Sequence, residues 1–212
     1  MKEALLFDLD GTLIDSLGDL TESLNWALLQ SGLSPRTRSE VRRFIGDGMR
    51  VLVDRAAGSA GPPSERVFGH FLEHYRSHCL DSTRLFPGVS RLMPALGARY
   101  HCAVLTNKSA EFAHQILDGL GVSRHFQVIV GGDSFAVRKP HGLVVRETLK
   151  RLSSARLAAI IVGDHRADLE AARNSRQRAV YCCFGFGRPG ASRVERRVRS
   201  FLELGPLLGV RG

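Results

Sequence analysis

Four short segments of this 212-residue chain gather side chains able to do chemistry on an anion. Asp8-Leu9-Asp10-Gly11-Thr12 closes one apolar run, Thr106-Asn107-Lys108 closes another, and Gly163-Asp164 a third with Asp168 just behind; Arg138-Lys139-Pro140 falls between the last two. Taken singly, an Asp or Thr after a strand is a turn former or a helix cap. Taken together they form a set, because open parallel sheets bring the carboxyl ends of their strands to one crevice. Asp8, Asp10 and Asp164 crowded there would raise one another's pKa unless a divalent cation neutralised them. Oxygen ligands favour magnesium. Lys139, the Thr106 hydroxyl and the Asn107 amide would then donate to the equatorial oxygens of a phosphoryl group, a combination suited to phosphoryl transfer. Lysine usage agrees: of 30 Lys and Arg side chains only Lys2, Lys108, Lys139 and Lys150 are lysines, and two of those four sit at the crevice, where a compact ammonium serves better than a planar fork.

The elements that must position these groups are legible as apolar runs and helical periodicity. Ala4 to Leu9, His101 to Leu105, Phe126 to Val130, Ala158 to Val162 and Ala179 to Phe184 read as buried strands, with helical patterns over 88–99, 109–120, 141–152 and 166–174. The alternation predicts an α/β, Rossmann-like parallel sheet with helices on both faces. About 90 residues separate the first two strands, far more than a crossover needs, and their spacing predicts helices over 16–31, 36–57 and 64–80 with no strand. Breaks fall at 31–35 and 58–63, so a small all-α unit is inserted after the first strand. The expected division is a core of 1–14 and 86–212 and an insert of 15–85.

Composition bounds the class. A chain that is 43% hydrophobic and 24% charged, with 22 Gly and 8 Pro, is globular, and no apolar stretch approaches the roughly 20 residues a spanning helix needs. The start, Met1-Lys2-Glu3, runs at once into a strand, so a cytoplasmic protein is expected, without membrane association. Cys79, Cys102, Cys182 and Cys183 lack metal-ligand spacing and read as reduced core thiols. The net charge of +9 raises the question of nucleic acid, but the arginines are scattered and the one cluster, Arg188, Arg193, Arg196, Arg197 and Arg199, has no interleaved aromatics. That cluster reads as a solvated helix face, and no nucleic-acid partner is expected.

Phe7-Asp8-Leu9-Asp10-Gly11-Thr12-Leu13 resembles the first motif of the haloacid dehalogenase superfamily, in its phosphatase branch. Leu105-Thr106-Asn107-Lys108 is similar to the second motif, Lys139-Pro140 to the third, and Val162-Gly163-Asp164-His165-Arg166-Ala167-Asp168 to the fourth, in the family's order. The insert stands where the family's C1 caps stand. Phe44-Ile45-Gly46-Asp47-Gly48-Met49, Phe86-Pro87-Gly88-Val89 and Gly131-Gly132-Asp133-Ser134 look like segments of the phosphoglycolate phosphatase subfamily.

The resemblance implies a magnesium-dependent phosphomonoesterase working through an aspartyl-phosphate, with 2-phosphoglycolate as the leading substrate. Asp8 is then the nucleophile and Asp10, two residues on, the general acid and base. Magnesium is held by Asp8, the Asp10 carbonyl and Asp164, with Asp168 steadying the metal ligands or joining them. Thr106, Asn107, Lys139 and Gly11 hold the phosphoryl group, with Thr106 and Lys139 also orienting the nucleophile. Gly46, Asp47, Gly48 and Arg50 form a possible specificity loop in the cap, Arg50 being placed to pair with a substrate carboxylate or simply to face solvent. Asp15 caps the helix that begins the insert, and Asp47 shapes a glycine turn or touches substrate. The partner implied is a small phosphorylated metabolite, the protein itself being a monomer or homodimer. Alternatives are a sugar phosphomutase, a phosphatase of a sugar phosphate, nucleotide or pyrophosphate, and a non-enzymatic phosphate-responsive scaffold. The sequence departs from the family where His165 stands for a Ser, Ala167 for an Asn, Gly142 for a Pro and Arg176 for a helix-ending Gly, the last predicting strain or a different helix end.

Overall fold

A computed structural model describes residues 2–58, 61–152 and 158–210. Its strands are β1 (Ala4–Phe7), β2 (Ile14–Asp15), β3 (Arg84–Leu85), β4 (His101–Leu105), β5 (Val128–Val130), β6 (Ala159–Gly163), β7 (Arg178–Cys182) and β8 (Arg197–Val198). Its α-helices are α1 (Leu17–Gln30), α2 (Arg38–Phe44), α3 (Met49–Ala57), α4 (Pro62–His78), α5 (Val89–Arg99), α6 (Ala110–Gly119), α7 (Gly142–Leu152), α8 (Arg166–Ser175) and α9 (Leu204–Leu207).

Six strands form one sheet in the order β5-β4-β1-β6-β7-β8, with every pairing parallel. The two-residue period of a strand sends alternate side chains to opposite faces. Leu5 and Phe7 of β1 join the apolar cluster that includes Leu92 and Met93 of α5 and Phe112 of α6, whereas Ala4 and Leu6 join Val145 and Leu149 of α7 and Ala171 of α8. Helices therefore cover both faces, as the apolar runs predicted. The first cluster continues through Leu13 and Ile14 into Leu24, Val53 and Phe71 of the inserted helices, so the insert shares the core's apolar interior.

The insert departs from its sequence reading in two ways. Its two crossing segments pair as the antiparallel strands β2 and β3, with Ile14 opposite Leu85 and Asp15 opposite Arg84. This crossing is locked by buried Asp19, whose carboxylate accepts from Ser82 N and from Thr83 N and Oγ1 at 2.8, 2.9 and 2.7 Å and also from Ser82 Oγ. The helix expected over 36–57 is two helices, because Gly46 and Gly48 take φ of +121° and +97°, a left-handed conformation that ends α2 before α3 can start. Within the break expected at 58–63, Gly58 and Gly61 have positive φ, while residues 59 and 60 lie outside the described residues.

Two further readings are corrected. The arginines between 188 and 199 do not lie on a helix: Pro189 and Gly190 interrupt the backbone, and Arg197 belongs to strand β8 beside β7. Cys183 is exposed, although Cys79, Cys102 and Cys182 are buried and all four are free. The strain foreseen at Arg176 is present: it ends α8 at φ 58°, the sole non-glycine residue with positive φ among those described.

Candidate active site

β1, β4 and β6 are adjacent in the sheet, so the segments leaving their carboxyl ends meet. The Asp8, Asp164 and Asp168 carboxylates offer oxygens all within 4.8 Å of one another. Lys139 Nζ reaches them from the loop before α7, 2.9 Å from Asp8 Oδ1 and 2.6 Å from Asp168 Oδ1. All four residues are buried. One ammonium cannot balance three carboxylates, and the imbalance shows in the acidities. Burial pushes the Asp164 carboxyl up, and the Asp8 and Asp168 charges push it further. Asp168 is raised by burial in spite of Lys139. Burial opposes the charge on Lys139, but Asp168 and Asp8 outweigh it and its pKa lies above the ordinary lysine value.

The excess negative charge and all-oxygen donor set fit a hard divalent cation. Asp164 is aimed by its neighbours: Phe186 N and Gly187 N donate to Oδ2 at 2.7 and 2.8 Å, and Thr12 Oγ1 donates to Oδ1 at 3.3 Å. Gly11 permits this approach, since at φ +84° a Cβ on it would stand 2.3 Å from Asp164 Oδ2. Asp168 is committed on both sides, one oxygen to Lys139 and the other accepting from His165 N at 3.0 Å in a capping box at the start of α8.

Asp10 faces the same crevice with an asymmetric carboxylate. Ser16 Oγ donates to Oδ1 at 2.5 Å, and Lys108 Nζ stands 3.2 Å from the same oxygen. Lys108 is itself buried, donates to the Tyr75 hydroxyl at 2.9 Å, and lies 4.7 Å from that ring's centre. Neither Ser16 nor Tyr75 is visible as a partner in the sequence, being six residues downstream and on α4; the scarcity of lysine was the available signal for Lys108.

A cavity of about 30 Å³ opens beside Asp8 and Asp10, walled by Thr106, Asn107 and Lys108 from the core and by Leu20, Ile45, Gly46, Gly48, Met49 and Leu52 from the insert. That volume holds one or two waters. The Thr106 hydroxyl accepts from Lys108 N at 3.2 Å and keeps its own proton to donate.

Several sequence-derived candidates stand differently in the structure. Both Asn107 amide hydrogens are spent, on Gly46 O at 3.0 Å and Lys139 O at 3.1 Å, so in this arrangement Asn107 ties the insert to the core rather than donating to phosphate. The Gly11 N–H donates to Ile14 O at 2.9 Å, and what Gly11 supplies is space. Arg50 is turned away from the chamber, 3.2 Å from Asp54 and over the Phe68 ring, so it meets no substrate carboxylate here. Asp47 pairs with Arg55 at 2.5 Å and does not line the cavity. Asp15 accepts from Leu17 N at 3.2 Å at the start of α1.

The comparisons with known proteins decide the family. Residues 5–181 match the model of the haloacid dehalogenase-like hydrolases. The chain belongs to this family. Curated relatives include phosphoglycolate phosphatases of Rhodospirillum rubrum, 35% identical over 99% of this chain and 92% of that one, and of Agrobacterium fabrum, 35% identical over 85% and 80%. Among solved structures, a predicted phosphoglycolate phosphatase from Haemophilus somnus has a TM-score of 0.91 at 27% identity, each chain being 98% covered. CbbY from Rhodobacter sphaeroides in complex with phosphate has a TM-score of 0.81 at 25% identity, with 97% of each chain covered. For a haloacid dehalogenase-like hydrolase the departures in the fourth motif are accommodated locally. The His165 ring packs where a Cβ on Gly46 would come within 2.6 Å of it, and Ala167 N donates to His165 Nδ1 at 3.3 Å. No described helix is long and apolar enough to cross a membrane.

Proposed function

We propose that this phosphoric monoester hydrolase cleaves 2-phosphoglycolate to glycolate and phosphate through an aspartyl-phosphate on Asp8. The observation that carries the chemistry is the pairing of two differently held carboxylates. Asp8 gives one oxygen to Lys139, leaving the other to attack phosphorus in line. Asp10 takes both of its donors on Oδ1, which leaves Oδ2 to give a proton to the leaving oxygen and then to take one from the attacking water. Asp8, Asp164 and the Asp10 carbonyl would hold magnesium, which when bound would supply neutralising charge for the phosphoryl oxygens. Lys139 and the Thr106 hydroxyl supply further positive ends, and Asp168 keeps Lys139 in place. The insert, residues 15–85, acts as a cap whose closure excludes bulk water from the chamber. The names of the relatives support the substrate.

Phosphate release from a panel of small phosphomonoesters with magnesium present tests this reading. Selective release from 2-phosphoglycolate supports it. Release from other members but not from 2-phosphoglycolate refutes the substrate, and isomerisation of a sugar phosphate without release makes the protein a mutase.

A further inference from the structure

A second cavity, of about 330 Å³, lies on the seam between insert and core, with Arg42, Arg43, His165, Arg166 and Arg188 in its walls and no carboxylate residue among those lining it. It shares Ile45 with the wall of the active-site chamber, and the His165 ring packed on Gly46 stands near that boundary. Its size falls within the range of small-molecule sites, roughly 300 to 1,000 Å³.

The four guanidinium groups are not equivalent. Arg42 is spent on the backbone, donating to Gly185 O at 2.6 Å and Phe186 O at 3.2 Å. Arg166 lies 3.2 Å from Glu170, one turn along α8. Arg43 and Arg188 make no hydrogen bond or ion pair with any described residue; Arg43 feels the field of Glu40 on its own helix, but that carboxylate is committed to Thr37. One uncommitted guanidinium therefore comes from α2 of the insert and the other from the core loop after β7, and both face one concave space. Like charges held this way repel across the seam, and an anion that reaches both removes the repulsion. Guanidinium forks match phosphate oxygens in pairs, and spanning two of them calls for a ligand with charge at both ends.

We infer that this seam is a second anion site, separate from the catalytic crevice, that takes a compact diphosphate-type anion between Arg43 and Arg188. Its occupant bridges insert and core, and Arg42, which already clasps the carbonyls of Gly185 and Phe186, forms its floor.

Titration of inorganic pyrophosphate into the intact protein at low salt and without magnesium tests the inference with no need for turnover. Under these conditions the carboxylates of the catalytic crevice repel the probe. The expected result is saturable binding to one site that weakens about five-fold or more in each of Arg43→Ala and Arg188→Ala and is unchanged in Arg124→Ala, a surface control. Asp8→Asn, which removes a repelling charge from the crevice, leaves the binding unchanged if the site is the seam. No saturable binding, or binding that survives both arginine substitutions, overturns the inference; so does binding that tightens in Asp8→Asn, which would place the probe in the crevice. Both arginines are exposed and make no hydrogen bond or ion pair with any described residue, so the variants keep the parent melting temperature, and Arg43→Lys retains part of the affinity.

Discussion

The two sides of the active-site chamber are built on opposite plans. The core side is polar and over-determined: Asp8, Asp10, Asp164, Asp168, Lys108 and Lys139 hold one another across distant parts of the chain, every one of them closely packed. The cap side is apolar, presenting Leu20, Ile45, Met49 and Leu52, while its charged residues Arg50, Asp54, Asp47 and Arg55 pair among themselves away from the chamber. The difference separates two tasks. On the proposed reading, charge placed in the core serves the phosphoryl group, where electrostatic positioning matters most, and the apolar cap excludes water.

The largest expected effect follows from the asymmetric carboxylate in the core. Asp10→Asn keeps its shape and its Ser16 contact but cannot pass a proton, and kcat should fall by about 10²- to 10⁴-fold with little change in KM, as steady-state kinetics would show. A loss confined to KM would mean that Asp10 only binds.

The joint between the two sides comes next. Asp19→Ala strands the Ser82 and Thr83 donors that lock the cap's return strand, at a cost of about 2–4 kcal/mol measurable by chemical denaturation. Burial works to raise the Asp19 pKa, but the hydrogen bonds from Ser82 and Thr83 together outweigh it, so the folded value lies below the ordinary 3.8. The folded state thus binds protons less readily than the unfolded state. The contribution of Asp19 is complete above the ordinary value and fades as pH falls through the folded one. Denaturation of Asp19→Asn should accordingly lose the acid-side slope that the parent shows in this window.

A smaller pair of effects sharpens the division of labour. Met49→Ala trims the apolar wall, widens the chamber and should change KM among phosphomonoesters by less than about ten-fold, leaving kcat for a given substrate nearly intact. Arg50→Ala should alter neither constant by more than about two-fold, since its guanidinium serves Asp54 and the Phe68 ring. A large KM rise in Arg50→Ala for carboxylate-bearing substrates alone would break the contrast between a charged core and an apolar cap. The smallest effect lies outside both sides: Arg176→Gly relieves a left-handed residue at the end of α8 and should stabilise the fold by about 0.5–1 kcal/mol.

The same contrast explains what was legible in the sequence. Asp8, Thr106 and Asp164 each follow an apolar strand, and a parallel sheet gathers strand ends by rule, so the crevice and the sheet could be read from chain order. The cap resisted because its decisive features are not periodic. Strands β2 and β3 are two residues each, too short for an alternating pattern. The break between α2 and α3 rests on two glycines inside an otherwise amphipathic stretch. The grip of Arg42 on the carbonyls of Gly185 and Phe186 and the anchoring of Asn107 to Gly46 depend on contacts between segments far apart in the chain. Arg176 is the opposite case: a single position that demands glycine announced its own strain.

The central claim is that Asp8 carries the phosphoryl group during turnover. Rapid quenching of the reaction with 2-phosphoglycolate and magnesium, followed by mass spectrometry of the peptide containing Asp8, tests it directly. The account predicts a phosphoryl adduct on that peptide in the parent protein and neither adduct nor phosphate release in Asp8→Asn. Phosphate release in Asp8→Asn within about ten-fold of the parent rate would contradict it, because a nucleophile's removal costs several orders of magnitude.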